Sequence, residues 1–132
     1  MTRKLAAAVA VASLVAAPAL AARKSDREAL AAGVVTGKPV SCVPLQSIQT
    51  TRVRDDRTID FVMRGRNQVY RNTLPNSCPG LGFEQRFAYA TSLSQLCNVD
   101  IITVLYSGGG PRRGASCGLG EFTPIELPRK YR

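Results

Sequence analysis

Past residue 46 the chain breaks into short runs in which apolar and polar side chains alternate, whereas residues 5–20 form an apolar stretch interrupted only by Ser13 and Pro18. The first alternating run, 47–53, is rich in Thr, Val and Ile and reads as a strand. Asp55 and Asp56 then supply a turn, because Asp side chains bond their own backbone two residues on. In the next run, 58–63, Ile59, Phe61 and Met63 alternate with Asp60 and Val62, which puts an apolar row on one face of a half-buried strand. The polar link Arg64-Gly65-Arg66-Asn67 and the extended run 68–74 complete a hairpin.

Leu74-Pro75-Asn76-Ser77-Cys78-Pro79-Gly80 interrupts regular structure, since two prolines and a glycine punctuate any strand. Phe87 and Tyr89 lie on one side of a further extended run, 86–90. Ser92-Leu93-Ser94-Gln95 has capping-box spacing, and Leu93, Leu96 and Cys97 share one face at helical spacing, which predicts a single helical turn ending by Asn98. In 99–106, Val99, Ile101, Thr103 and Leu105 occupy one face and Ile102, Val104 and Tyr106 the other. Apolar groups on both faces predict a central strand. Residues 107–114 read as a flexible glycine loop, and a last short strand is expected over 119–123, before Pro124. The fold class is therefore mainly β: a small, curled antiparallel sheet or partly open barrel of about five strands with one short helical turn, stapled by disulfides.

The apolar start changes the picture of the whole. Arg3 and Lys4, the apolar run and Ala19-Leu20-Ala21 have the order of an export signal over 1–21, cleaved after Ala21 or Ala22. The run is too short, and too broken by Pro18, for a membrane span of ~20 apolar residues. A polar arm is expected over 22–38, one β-rich domain over 39–127 and a frayed basic tail over 128–132. All four cysteines lie beyond the signal, as suits an oxidising compartment, periplasmic or extracellular. They permit three pairings. A nested one, Cys42 with Cys117 and Cys78 with Cys97, is favoured if the terminal strands meet. The chain has no His and no Cys-x-x-Cys, which argues against zinc or thiol redox chemistry; no metal or cofactor is expected.

Cys42-Val43-Pro44-Leu45, Asp55-Asp56-Arg57-Thr58-Ile59, the segment Tyr70-Arg71-Asn72-Thr73-Leu74-Pro75-Asn76, Cys78-Pro79-Gly80-Leu81, Ser94-Gln95-Leu96-Cys97 with Asp100, and Cys117-Gly118-Leu119-Gly120 together resemble a family of small exported Gram-negative bacterial proteins known only as a domain of unknown function. The resemblance covers 42–125. It implies an envelope location and a cysteine-containing domain, and brings no catalytic residues with it.

Charge points to a partner. Eighteen basic against nine acidic residues give +9, and removing Arg3 and Lys4 with the signal leaves 16 minus 9, or +7. Arginine supplies most of it and makes bidentate contacts with phosphate and carboxylate. Candidate anion-binding sets are Arg52, Arg54 and Arg57 near the first turn, Arg64, Arg66 and Arg71 on the hairpin, and Arg112 with Arg113 in the glycine loop. Arg52 and Arg54 should leave one face of their strand. Nucleic acid is the weaker form of this idea, since few aromatic residues interleave with the basic ones. No catalytic constellation stands out. A sugar hydrolase would have to draw its carboxylate pair from Asp55, Asp56, Asp60, Glu84, Asp100 and Glu121, and no nucleophile elbow or phosphate loop is present. The expected function is a non-enzymatic accessory or protein-interaction domain of the envelope. Binding of an anionic envelope ligand, such as lipopolysaccharide phosphates or acidic polysaccharide, is the alternative, and a carbohydrate hydrolase a distant third.

Overall fold

The computed structural model describes residues 33–65, 68–110 and 112–128. Within them ten strands run in chain order: β1 (Val34–Val35), β2 (Cys42–Pro44), β3 (Ile48–Val53), β4 (Thr58–Met63), β5 (Val69–Thr73), β6 (Phe87–Tyr89), β7 (Gln95–Cys97), β8 (Ile101–Tyr106), β9 (Arg112–Gly118) and β10 (Phe122–Glu126). A 3-10 turn (Leu45–Ser47) precedes β3, and the one-turn helix α1 (Leu81–Glu84) precedes β6. All pairings are antiparallel. They form a five-stranded sheet of order β1-β10-β5-β4-β3, a two-stranded β2-β7 and a three-stranded β6-β8-β9, with no closed barrel among the described residues. The expected mainly β, disulfide-stapled class holds, with more and shorter strands. No described helix is long and apolar enough to cross a membrane.

The Ile59, Phe61 and Met63 row is buried as the alternation requires and heads a core shared with Leu74, Leu81, Leu96, Ile102, Val104 and Phe122. Phe61 meets Phe122 edge-on at 5.4 Å, tying β4 to β10. Asn72, also fully buried, receives the Gly120 N–H (2.8 Å) and donates to the Gly120 carbonyl (2.6 Å). Its amide thus stands in for a ladder partner where the chain bends into β10.

Four expectations change. The 92–95 helical turn is absent: Gln95–Cys97 is strand β7, paired with β2, and Leu96 is buried opposite Val43 while Leu93 stays exposed. Thr91, not Ser92, supplies the local cap, its hydroxyl accepting from the Leu93 N–H. With β7 beside β2, Cys97 lies directly across from Cys42, so the disulfides are Cys42–Cys97 and Cys78–Cys117. The nested Cys42–Cys117 and Cys78–Cys97 pairing is wrong: the terminal strands β1 and β10 do meet, but strand β7 beside β2 sets Cys97, not Cys117, against Cys42. The last strand runs through Pro124 instead of stopping before it. The Pro124 carbonyl accepts from Thr36 on the β1 side, so its missing N–H also faces that short edge, where no full ladder is required. Finally, Val34–Val35, placed in the polar arm, pairs with β10. The export signal, residues 22–32 of the arm, Arg66 and the tail beyond residue 128 lie outside the described residues.

Candidate binding surface

The seven candidate arginines among the described residues do not form one patch. Arg71 is buried and chelates Asp60 through Nε (2.7 Å to Oδ1) and Nη2 (2.9 Å to Oδ2), and Arg54 Nε reaches the same carboxylate at 2.8 Å. Asp60 is fully buried, which only such pairing permits. Arg52 sits across from Asp60 on the same sheet face. Arg57 holds the break after β5, donating to the Leu74 carbonyl (2.8 Å) and the Pro75 carbonyl (3.0 Å). Arg64 is exposed at the hairpin end. Arg112 and Arg113 are exposed too, but they open β9 rather than ride in a loop.

Five of the six candidate carboxylates, Asp60 included, are likewise occupied, and Glu121 is exposed just before β10. Asp55 Oδ1 accepts from the Arg57 N–H (2.7 Å), the expected turn geometry, and Asp56 Oδ1 accepts from the Gly82 N–H (2.7 Å). Glu84 accepts from the Ser107 N–H and hydroxyl, and Asp100 from the Cys97 N–H. No group of three or more metal-ligating side chains occurs among the described residues.

The outward face of β6-β8-β9 is open among the described residues. Strand β8 is central, as its two apolar faces predict, and Ile102 and Val104 are fully buried on the core side. The other side is not covered: Ile101 is 57% exposed. Register fixes what surrounds it, because directly paired residues project to the same face. Leu105 lies between Arg86, whose carbonyl accepts its N–H (3.0 Å), and Arg113. Thr103 lies between Ala88 and Ser116, and its hydroxyl is 3.0 Å from the Ser116 hydroxyl. Ile101 and Gly118 continue the face, and Ala90 borders the same groove. The result is a shallow groove of about 310 Å³ with a floor of small residues and Leu105, rimmed by Tyr89 and Arg113. A second hollow of about 300 Å³ continues past Leu105 to Arg86, Tyr106 and Gly110.

Local sequence builds this surface. Gln85 closes α1 in the left-handed conformation (φ 53°), which turns the chain into β6 with Arg86 at its head. A bulge in β9 between Arg113 and Ser116 keeps both opposite β8, and Gly114 leaves room there for the Tyr106 ring. Arg112 and Arg113 stand out in the sequence as an adjacent pair, whereas Arg86 does not. Its signal was the alternation itself, since 86, 88 and 90 face away from Phe87 and Tyr89. No family model, curated protein or solved structure matches the chain.

Proposed function

We propose that this is a non-catalytic exported domain that works by holding a protein partner on the outward face of β6-β8-β9. One observation carries the reading: a central strand leaves Ile101 57% exposed in a groove lined also by Ala88, Ala90, Thr103 and Leu105. A groove that sets Ile101 and Leu105 among small residues beside an arginine suits an interaction surface. Two disulfides suit an oxidising compartment, and Asp55, Asp56 and Asp100 accept backbone N–H groups of turns and strands. The test compares the oxidised mature protein with an Ile101→Ser/Leu105→Ser variant, each immobilised and exposed to envelope extract of the exporting cell. A protein retained by the first and lost from the second supports the reading. Equal retention by both, or no retention, contradicts it.

A further inference from the structure

Resting on that docking reading, we infer that Arg86 and Arg113 form a carboxylate clamp, and that the partner presents an extended segment with an acidic group and an apolar side chain four residues apart. The two arginines flank Leu105 on neighbouring strands, so their Cα atoms are roughly 10 Å apart and their side chains leave the same face. Neither has an ion-pair partner among the described residues. The acid on that side, Glu84, is turned to Ser107. Two uncompensated guanidiniums repel each other mildly in water and converge only on an anion, which their planar forks bind bidentately.

The floor selects peptide over lipid. The mutual bond between Thr103 and Ser116 uses one hydroxyl proton and leaves one donor and several lone pairs facing the groove. An extended peptide backbone can satisfy them, whereas an acyl chain would bury them unpaired. Ile101, 57% exposed, offers the apolar end. Ile101 stands four residues along β8 from Leu105, about 13 Å at strand rise, and an extended ligand spaces its own side chains likewise.

The test is an NMR titration of the isotope-labelled, oxidised protein with acetyl-Leu-Ser-Gly-Ser-Glu-amide, with the same peptide carrying Gln for Glu, and with acetyl-Leu-Ser-Gly-Ser-Gly ending in a free carboxylate. Phosphatidylglycerol vesicles form a fourth arm. The Glu peptide is expected to shift amides of 86–90, 101–106 and 112–118, and to bind at least about tenfold more tightly than the Gln peptide. The free-terminus peptide tells whether the anion is a side chain or a chain end. Arg86→Ala/Arg113→Ala should lose that preference, and Arg86→Lys/Arg113→Lys should keep the charge but recover only part of the affinity. Both arginines are exposed, so thermal unfolding should be unchanged in these variants. Equal binding of Glu and Gln peptides, an indifferent double-alanine variant, or vesicle binding that the Glu peptide does not displace would overturn the clamp. If a captured partner depends on Ile101 and Leu105 but not on the arginines, the clamp fails and the docking reading survives. If no partner depends on that pair, the docking reading fails, and the peptides still judge the clamp.

Discussion

Replacing Asp60 with alanine should be among the costliest substitutions in the domain. Its carboxylate is fully buried and takes three N–H bonds, one from Arg54 and two from Arg71, whose side chains are only 17% and 10% exposed. Without it, two cations face each other where water cannot replace the lost partner. Breaking a buried pair from one side costs about 3–5 kcal/mol. With a urea m-value of ~1.5 kcal/mol/M, the unfolding midpoint should fall by roughly 2–3 M. Equilibrium urea titration of the oxidised protein, followed by far-ultraviolet circular dichroism, reads this directly. The loss should persist in high salt, because a buried pair is barely screened. A triple variant, Asp60→Leu/Arg54→Met/Arg71→Met, should regain most of it, since apolar groups of similar volume replace buried ions at little cost. A loss below about 1 kcal/mol for Asp60→Ala, the scale of an exposed ion pair, would refute the reasoning. So would a triple variant no better than the single one.

Gly120→Ala places a methyl group against the Thr73 carbonyl, 3.1 Å from its carbon, and should lower the melting temperature by ~10 °C or more in a calorimetric scan. Gln85→Gly relieves a left-handed φ of 53° and should raise stability by about 0.5–1 kcal/mol in the same urea assay. Non-reducing digestion and mass spectrometry should recover Cys42 joined to Cys97 and Cys78 joined to Cys117. Removing either link should cost up to about 4 kcal/mol, given loops spanning separations of 55 and 39 residues.

Elements whose pattern is local were legible in the sequence. The 59/61/63 alternation, the Asp55 turn, the β4-β5 hairpin and the central place of β8 all follow from side-chain period and turn chemistry. Elements that depend on a distant partner were not. Gln95–Cys97 carries a helix-cap spacing that loses to the pairing of Leu96 with Val43, and the disulfide error follows from that one misreading. Strand β9 has few apolar residues and exists because β8 offers an edge. For the binding surface, composition identified Arg112 and Arg113 but could not separate them from Arg54, Arg57 and Arg71, which the fold uses internally. Apolar residues on both faces of β8 implied burial on both sides. That one side is open is a fact of packing, and it is the fact from which the functional reading starts.

The most direct test of that reading is site-specific photo-cross-linking in intact cells that make the protein, with a benzophenone amino acid at Thr103 on the outward face of β8 or at Gln49 on β3. The account predicts a discrete protein adduct from Thr103 that is absent from Gln49 and lost in the Ile101→Ser/Leu105→Ser background. Adducts of equal yield from both positions, or none from Thr103, would contradict it.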